Sequence, residues 1–431
     1  MPPPADPIDE LAAAVRSGDT ARAVHVLAAH PELRSRLDGP MPGGHFGATA
    51  LLSAVNSGNR AMAGLLLDHG ADINARSHWW AGGFGVLDRD PDELTDFLIS
   101  RGAIVNAYAA ARLGRLDRLK ELIAADPAVV HSRGGDGQTP LHVARTIEIA
   151  RCLLDAGADI DARDVDHEST AAQYLVRDRQ DVVRYLVERG CRTDILMCSA
   201  IGDAGRVREH LDRDPSSAGM TVSERWFPMK NPKAGGTIYT WTLGAYKLPH
   251  AIAREFGHEE VVRLLMERSP LELKLAAACE LGDEALVKEV SASGQAARAL
   301  SDDDLRRLPA AAETDRTAAV RLMLTAGWPV NSRGSHGGTA LHWACWNGNL
   351  EMTREILRYK PDLDIKDLTY AGPPIGWAAY GSTHGWRCKT GDYAGVVRAL
   401  LDAGATPPPA RSDPDDPDVS DAVREVLRQR R

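Results

Sequence analysis

The chain has 431 residues, of which 44% are hydrophobic and 26% are charged, and its formal net charge at pH 7 is −9. The negative charge argues against nucleic acid as the main partner, because phosphate contacts need clustered Lys and Arg, and the one basic run is the short segment 428–431. No stretch approaches the roughly 20 apolar residues of a membrane span, and the first residues lack the pattern of a signal peptide. We therefore expect a cytoplasmic protein that binds neither nucleic acid nor membranes.

The six cysteines form neither a Cys-x-x-Cys pair nor a zinc-like spacing. In a chain of this length they are typical of small buried residues in a reducing compartment. The sequence also lacks a phosphate-binding loop, a dinucleotide fingerprint, a nucleophile elbow and a His-Glu-x-x-His pair. We therefore predict neither a cofactor nor a bound metal. The composition, rich in Ala and Arg and poor in Lys, is typical of a bacterial source.

A block of about 33 residues recurs along nearly the whole chain. Two copies carry almost the same corner, since residues 139–144 read Thr-Pro-Leu-His-Val-Ala and residues 339–344 read Thr-Ala-Leu-His-Trp-Ala. An apolar helical segment follows each corner, and then a Gly-led extended segment such as 157–163. This pattern resembles the ankyrin repeat family, whose period and Thr-Pro-Leu-His-x-Ala signature match at these positions. The resemblance implies helix pairs that stack in one dimension, with short finger hairpins along one edge.

The spacing of glycines sets the register of the repeats. Gly58 and Gly282 mark the turn between two helices, and Gly70 and Gly294 end a second helix, where the chain must adopt a left-handed conformation. We predict an all-α solenoid of about twelve helix-pair repeats with two inserted loops, over residues 6–405. The predicted starts are Asp9, Thr49, Ala81, Val105, Thr139, Ser169, Thr193, Leu248, Leu273, Arg306, Thr339 and Pro373.

The two ends of the predicted solenoid differ from its middle. Residues 6–33 fit a polar cap, which a stacked array needs at its end. Residues 406–431 are predicted to lie beyond the repeats. Their first part, 406–417, is rich in Pro and Asp and cannot be helical. A short amphipathic helix from Val419 to Leu427 is predicted to follow.

Finger tips along the chain carry side chains that should face the groove of the solenoid. Trp79 and Trp80 are predicted to contact a partner. His336 stands at a tip before a Gly-Gly pair and is predicted to point toward the groove as well. Histidines titrate near neutral pH, so a row of them is compatible with catalysis or pH-sensitive binding, although any single one is more typical of a surface residue. The other tip histidines are His45, His78 and His131.

The repeat that starts at Thr139 is about three residues short, and the finger after it is unusual. Residues 163–168 read Arg-Asp-Val-Asp-His-Glu, whose carboxylates and imidazole could bind a metal or supply an acid and a base. Fingers of the ankyrin family commonly carry an Asp-x-Asp pattern that caps the next turn, and this structural interpretation is favoured over a metal site. Asp166, His167 and Glu168 are kept as acid–base candidates.

A segment inserted at residues 219–243 is a second departure from the repeat. Its part 237–243 alternates apolar and hydroxyl residues, which predicts a strand, and Phe227 lies opposite, so an extended hairpin is expected. Long loops on rigid scaffolds are frequently functional. Tyr239 and Trp241 are therefore predicted binding residues. The alternative is an elongated finger that packs its aromatic side chains on a neighbour.

Five of the nine tryptophans lie within residues 328–386. Alignment of the last two repeats sets Trp343 opposite Trp377 and Trp346 opposite Tyr380. The resemblance implies that the first pair leans into the core and that the second pair projects toward the concave face. Clustered exposed aromatic side chains usually mark an interaction site. The alternative is that the large rings fill the thin core of a terminal repeat.

An extra segment at residues 382–391 lies inside the last repeat and is a third departure. It places His384 and Trp386 beside the predicted groove, and Asp392 and Tyr393 follow directly. Trp386 and Tyr393 are predicted binding residues, and His384 and Asp392 are acid–base candidates together with the histidine at the nearby finger tip. A solvent-exposed loop of mixed composition has the same appearance.

These patterns support two hypotheses of different classes. The first is a binding module that recognises a protein or peptide on a concave face made of fingers and first helices, which is what the resemblance implies. The second is a small-molecule enzyme or ligand receptor, whose pocket is the groove closed by the inserted loops and whose chemistry uses His and carboxylate groups. An open aromatic groove favours the first, and an enclosed pocket favours the second. Neither the partner nor the oligomeric state follows from the sequence.

Overall fold

The computed structural model describes residues 6–292, 300–407 and 418–429. Regular structure in these ranges is helical, and β-structure is limited to two isolated bridges, Arg163 with Thr170 and Arg333 with Thr339. The predicted all-α class is therefore confirmed. The α-helices span Pro7–Ser17, Thr20–Ala29, Ala50–Asn56, Arg60–Asp68, Glu93–Ser100, Ala107–Leu113, Leu116–Ala125, Ile147–Asp155, Ala171–Leu175, Gln180–Glu188, Ile195–Ile201, Ala204–Arg213, Pro249–Glu255, Glu259–Arg268, Leu271–Leu281, Glu284–Ser291, Asp302–Glu313, Thr317–Thr325, Ala340–Trp346, Leu350–Leu357, Pro374–His384, Tyr393–Asp402 and Asp421–Gln429.

Short helical turns complete the repeats, and three of them form finger tips. Their middle residues Phe46, Asp136 and His336 have φ angles of 55°, 54° and 57°. A Gly that also has a positive φ follows each of them. Two consecutive left-handed residues make the tight reverse turn of a finger. The 3-10 helices are Pro31–Arg36, His45–Gly47, Pro127–His131, Gly135–Gly137, Pro140–Val143, Pro215–Gly219 and Ser335–Gly337, and one π-helical turn spans Thr240–Gly244.

Internal contacts divide the chain into two compact units. The first compact unit contains Met1–Thr193 and Phe227–Thr242, and the second contains Asp194–Trp226 and Leu243–Arg431. Within each unit, most consecutive helices pair, and most pairs pack on the next. This is the one-dimensional packing of an α-solenoid.

The predicted turn glycines have the expected conformation. Gly58, Gly70 and Gly282 have φ angles of 72°, 95° and 74°, in the left-handed region that favours glycine. Gly294 lies outside the described residues, as do 408–417 of the predicted linker and the last two residues of the basic run.

The Thr-Pro-Leu-His corner links one repeat to the next. His142 Nδ1 accepts a hydrogen bond from Thr139 N at 3.1 Å, and Nε2 lies 3.0 Å from the Ser169 carbonyl oxygen of the following finger. His342 makes the same link to Gly372 O at 3.1 Å. Both imidazoles are buried. They hold neighbouring repeats together and do not face a groove.

The repeat that starts at Thr139 has a shortened first helix. This helix is the four-residue 3-10 turn Pro140–Val143, whereas the preceding repeat has the seven-residue helix Ala107–Leu113. Ala144 leaves the helical region with a ψ of 109°, and the second helix begins at Ile147. The missing residues are therefore removed from the first helix and the turn after it.

Small apolar residues fill the spaces between helices. Four of the six cysteines, Cys191, Cys198, Cys279 and Cys345, are buried as predicted, whereas Cys152 and Cys388 are only partly buried. A helix spans Asp421–Gln429, two residues later than the predicted C-terminal helix, and it packs on the preceding helix. Among the described residues, every helix is too short or too polar to cross a lipid bilayer.

The buried histidine His250 should make stability depend on pH. Its ring is fully buried beside the Ser269 hydroxyl at 2.9 Å, and burial lowers its pKa to about 3. Histidine in an unfolded chain titrates near ~6.5. Between these pH values the unfolded state binds the extra proton, so stability is fully present above pH ~6.5 and falls as the pH decreases. Below pH ~6.5 this histidine lowers the free energy of unfolding by about 1.4 kcal/mol for each pH unit, and His250→Gln should abolish that contribution.

Urea unfolding of the parent and of His250→Gln, followed by circular dichroism on both sides of pH ~6.5, checks this expectation. The comparison isolates His250, because other titrating groups contribute equally to both proteins. The idea is wrong if the two proteins lose stability in parallel as the pH falls.

Candidate functional site

The inserted segment 227–242 lies against the finger that contains Asp166, within the first compact unit. The backbone N–H of Gly235 donates to the Asp166 carbonyl oxygen at 2.9 Å. One finger earlier, Val165 N donates to the Asp136 carbonyl oxygen at the same distance of 2.9 Å. The insertion therefore continues the row of fingers by occupying the next position.

The predicted strand-like hairpin at 237–243 is wrong. Local turns replace it, and a π-helical turn spans Thr240–Gly244. Thr242 N donates to the Ile238 carbonyl oxygen at 3.0 Å, and the Thr242 hydroxyl donates to the same oxygen at 3.3 Å. The alternation of apolar and hydroxyl residues arises here because the hydroxyl groups close turns, not because one face of a strand meets water.

Two aromatic residues of the insertion have opposite environments. The predicted contact role of Tyr239 must be corrected, because its side chain is fully buried and packs edge-to-face on Phe227 at 5.3 Å. Trp241 is 60% exposed, and its ring centroid lies 5.0 Å from that of His167. The Tyr239 ring therefore holds the insertion in place by packing in the interior. The exposed Trp241 ring lies over the imidazole of His167.

Asp136, Asp166 and His167 each bring one ligand atom to within 4.8 Å of the others. His167 Nδ1 lies 2.8 Å from the Gly236 carbonyl oxygen. A carbonyl only accepts, so Nδ1 carries the proton. His167 Nε2 then faces Asp166 Oδ2 at 3.5 Å. Three polar side chains from two fingers thus converge beneath the insertion.

The charges of this cluster are crowded. Burial is the main reason that the pKa of Asp136 rises to about 6, and repulsion from Asp166 adds to the rise, whereas His167 opposes it. Burial also raises the pKa of Asp164, although its carboxylate accepts backbone N–H groups of His167 and Ser169 at 2.7 Å. The carboxylates of Asp136, Asp164 and Asp166 therefore lie near the single imidazole of His167, and all four groups are buried or partly buried.

Two of the predicted acid–base carboxylates are already used by the backbone. The Glu168 carboxylate accepts N–H groups of Lys230 at 3.0 Å and Asn231 at 2.7 Å, so it anchors the insertion. Asp392 caps the helix that follows it and accepts Gly395 N at 2.8 Å. The carboxylate oxygens of both residues are thus engaged by backbone N–H groups of the fold. Both residues therefore have structural roles.

An aromatic group lies at the first fingers. Trp79 is half-buried and packs edge-to-face on Phe46 at 4.9 Å, and Trp80 is 37% exposed with its ring 6.1 Å from Trp79. Phe46 is 53% exposed and lies 5.8 Å from Phe84. The two tryptophans thus belong to a small cluster with two phenylalanines that the sequence patterns did not single out.

In the second compact unit, Trp346, Tyr370, Tyr380 and Trp386 form what we call the aromatic surface. Tyr370, Tyr380 and Trp386 are 67%, 44% and 65% exposed. The half-buried Trp346 stacks on Tyr380 with ring centroids 6.3 Å apart and planes inclined by 24°. Trp386 stacks on the buried ring of Trp343 at 5.7 Å and 20°. Two of the three exposed rings are therefore stacked on less exposed tryptophans, Tyr380 on Trp346 and Trp386 on Trp343.

A buried aromatic pair supports this surface. Trp343 and Trp377 are 4% and 8% exposed and meet edge-to-face at 5.1 Å, and Tyr370 lies 6.3 Å from Trp377. The indole N–H of Trp377 donates to Asp367 at 3.0 Å. The aromatic surface thus rests on a packed pair of buried tryptophans, and two indole N–H groups, of Trp343 and Trp346, have no hydrogen-bond acceptor among the described residues.

The two histidines predicted in this region lie at the margins of the aromatic surface. The His336 ring lies 5.6 Å from Tyr370, and the His384 ring stacks on Tyr380 at 4.1 Å with parallel planes. His384 Nε2 is also 3.5 Å from Asp418 Oδ1. The imidazoles of His336 and His384 therefore enlarge the aromatic surface at its two margins.

Tyr393 must be corrected as a predicted surface contact. It is 4% exposed, and its hydroxyl donates to the Trp346 carbonyl oxygen at 2.8 Å. The predicted loop 382–391 is also shorter than expected, because the helix Pro374–His384 includes its first three residues. Tyr393 is thus a buried residue that holds the backbone of Trp346 in place beneath the aromatic surface.

The sequence patterns missed several exposed or clustered residues. Tyr370 and Leu368, at 67% and 76% exposure, lie on the last finger. The signal that could have found them is Asp367, which stands at the same finger position as Asp164. The signal for Asp136 is its position at a finger tip directly before a Gly, which is also the position of His336 in a later finger.

Comparisons with known proteins agree with the repeat pattern. A family model described as ankyrin repeats in three copies matches residues 107–196 and 273–367. A model of the single ankyrin repeat matches residues 46–78. Together the matches cover about half of the chain.

Two curated relatives are similar over short segments. The serine/threonine-protein kinase VIK of Arabidopsis thaliana is 35% identical over 75 residues, which make up 17% of this chain and 17% of that protein. The ankyrin repeat and SAM domain-containing protein 6 of Mus musculus is 31% identical over 87 residues, or 19% of this chain and 10% of that protein. The matched part is thus a small share of both relatives.

Among solved structures, the human ASB11 ankyrin repeat domain is 18% identical to this chain. That match covers 70% of this chain and 99% of that domain, with a TM-score of 0.28.

Proposed function

Because the chain belongs to the ankyrin-repeat family, whose repeats generally mediate protein–protein interaction, we propose that it is a binding module for a protein or peptide partner. The proposed contact region is the aromatic surface of the second compact unit, on the concave face that fingers and first helices form. One observation carries this proposal: Tyr370, Tyr380 and Trp386 are exposed and yet held in place by ring packing.

Exposed, ordered aromatic rings are favourable binding residues. Trp and Tyr are enriched among the few residues that dominate binding energy, because each buries a large area at a small cost in side-chain entropy. Trp386 is held by stacking on Trp343, and Tyr380 by stacking on Trp346. Little conformational freedom is therefore lost when a partner covers them.

The chemistry of the surface indicates the kind of partner. Stacked rings favour a segment that presents apolar side chains, and the neighbouring Leu368 at 76% exposure extends the apolar area. A peptide segment with apolar side chains has this feature.

A second candidate function is a ligand receptor or enzyme in the first compact unit. The exposed Trp241 ring over His167 favours a ligand at that place. The backbone N–H groups that occupy the Glu168 carboxylate weigh against acid–base chemistry. A metabolite that stabilises the parent protein but not Trp241→Ala in a thermal-shift screen would favour this alternative.

Peptides selected from a displayed random library test the binding proposal. We expect the selected peptides to be rich in apolar residues and to lose affinity when the aromatic surface is truncated. Trp386→Ala and Tyr380→Ala should each raise the Kd about 30-fold, which corresponds to about 2 kcal/mol for a dominant binding residue. Fluorescence anisotropy with a labelled selected peptide measures this change.

Tyr359→Ala is the matched control, since it also removes a partly exposed tyrosine ring, at 36% exposure, from the second compact unit. It should leave the Kd within a factor of about two. Thermal unfolding of all three variants separates a loss of contacts from a loss of fold. Selected peptides that bind Trp386→Ala and Tyr380→Ala as tightly as the parent would rule out the aromatic surface.

A further inference from the structure

The first compact unit carries a group of metal-ligating side chains that the proposed binding function does not use. We propose that Asp136, Asp166 and His167 bind a divalent transition-metal ion of the zinc or manganese type. Two carboxylate oxygens and one imidazole nitrogen are donors that these ions accept, whereas Ca²⁺ and Mg²⁺ prefer oxygen donors alone. The ion joins two neighbouring fingers beneath the inserted segment 227–242.

The spacing of the side chains is close to that of a coordination sphere. Ligand atoms at about 2.0–2.2 Å from an ion lie roughly 3–4 Å from one another. The distance of 3.5 Å between His167 Nε2 and Asp166 Oδ2 already fits. The three ligand atoms lie within 4.8 Å of one another, so the remaining adjustment falls on Asp136 and amounts to roughly 1 Å. Asp136 is half-buried at a finger tip, where its carboxylate accepts a long hydrogen bond from the Gln138 amide at 3.5 Å.

An independent observation on His167 points to a cation. The residue is 9% exposed, and its Nδ1–H donates to the Gly236 carbonyl oxygen at 2.8 Å. Nε2, the other ring nitrogen, lies 3.5 Å from Asp166 Oδ2, which is longer than a normal hydrogen bond. A metal ion between the two atoms satisfies both. Metal-bound histidines commonly donate their other ring N–H to a carbonyl, as this one does.

The inserted segment orients the proposed ligands. Besides the contact of Gly236 with the imidazole, Gly235 N donates to Asp166 Oδ1 at 3.3 Å. A side chain at position 235 would approach His167 to 3.2 Å and Asp166 to 3.3 Å, so glycine lets the backbone come this close. These contacts fix the ligand side chains from outside, as outer-shell groups do in metal sites. A plain finger does not need such a segment.

The charge of the cluster also suits a cation. Asp136, Asp164 and Asp166 lie close together, with the His167 imidazole beside them. Within the described ranges, none of the three carboxylates forms an ion pair with Lys or Arg. A divalent ion supplies the missing positive charge.

Calorimetric titration of the intact, chelator-treated chain with Zn²⁺ tests the proposal. We expect one saturable site per chain, with affinity reduced at least about tenfold in Asp136→Asn and in His167→Gln. Binding of Mn²⁺, followed by electron paramagnetic resonance, should show the same pattern. Manganese is useful here because it avoids thiolates, so the cysteines do not contribute. His131→Gln is the matched control, because it removes an exposed histidine outside the cluster.

Equal affinity of the parent, Asp136→Asn and His167→Gln would overturn the proposal, and so would the lack of saturable binding up to about 1 mM metal. Thermal unfolding without metal shows whether a variant still folds. Zn²⁺ should raise the Tm of the parent and of His131→Gln, but not that of His167→Gln. If His167→Gln folds poorly, the near-isosteric Asp136→Asn still decides the question.

Discussion

Replacement of Arg307 by Met should lower the free energy of unfolding of the second compact unit by about 3–5 kcal/mol. The Arg307 side chain is 1% exposed, and it donates to the carboxylates of Glu280 at 2.8 Å and Asp304 at 2.9 Å. It also donates to the Tyr246 carbonyl oxygen at 2.8 Å. Methionine removes the charge and leaves the Glu280 side chain, which is also 1% exposed, buried without a counter-charge. An uncompensated buried charge is among the most destabilising changes in a protein interior.

Urea unfolding followed by circular dichroism measures this effect. The double variant Arg307→Met/Glu280→Met should regain most of the loss, since apolar residues that replace a buried ion pair are often tolerated. Arg321→Met is the exposed control, because the side chains of its ion pair with Glu284 are 49% and 68% exposed, and it should cost less than about 1 kcal/mol. The buried triad is not important for stability if Arg307→Met costs no more than this control.

Arg307 could not be predicted from the sequence, and the reason is physical. The helix Asp302–Glu313 begins with three aspartates, followed by the pair Arg306 and Arg307, which is typical of a solvated face. Burial arises because Glu280, from an earlier helix, and the Tyr246 carbonyl oxygen close over the guanidinium. Neither contact leaves a local pattern in the chain.

The features that the sequence did predict depend on local chemistry. The corner histidines His142 and His342 lie where the Thr-Pro-Leu-His signature requires, because each one bonds to its own corner and to the next finger. Gly58 and Gly282 take left-handed conformations because the turn between paired helices demands it. Such constraints act within one repeat, and the repetition makes them visible.

The direction of an aromatic side chain in an insertion is not a local property. Tyr239 and Trp241 are two residues apart, yet the first is fully buried and the second is 60% exposed. Trp386 and Tyr393 show the same contrast, with 65% and 4% exposure. A turn rather than a strand sets these directions at the insertion, and helix packing sets them in the last repeat. Composition could therefore locate the aromatic surface but could not separate its exposed rings from its supporting ones.

Replacement of Asp367 by Ala should lower the free energy of unfolding by about 3 kcal/mol and should also weaken partner binding. The Asp367 carboxylate, in a residue that is 3% exposed, accepts N–H groups of Thr369 at 2.9 Å, Tyr370 at 2.6 Å and Gly372 at 2.8 Å. It also accepts the Trp377 indole N–H at 3.0 Å. Alanine leaves these donors without an acceptor, and the finger that presents Tyr370 loses its fixed shape.

Two further variants test whether the effect comes from the hydrogen bonds of the Asp367 carboxylate. Asp367→Asn should cost roughly half as much, because the amide oxygen still serves one pair of donors while its NH₂ group opposes the N–H groups of Gly372 and Trp377. Asp362→Ala removes an exposed aspartate from the same finger, whose carboxylate accepts one backbone N–H, that of Asp364 at 3.1 Å, and should cost about 1 kcal/mol or less. Urea unfolding and peptide affinity, measured on the same proteins, then answer separate questions. If stability falls in the order Asp362→Ala, Asp367→Asn, Asp367→Ala while affinity stays constant, the finger is needed for folding and Tyr370 does not contact the partner. If both fall together, the carboxylate that builds the last finger also positions the ring that the partner meets.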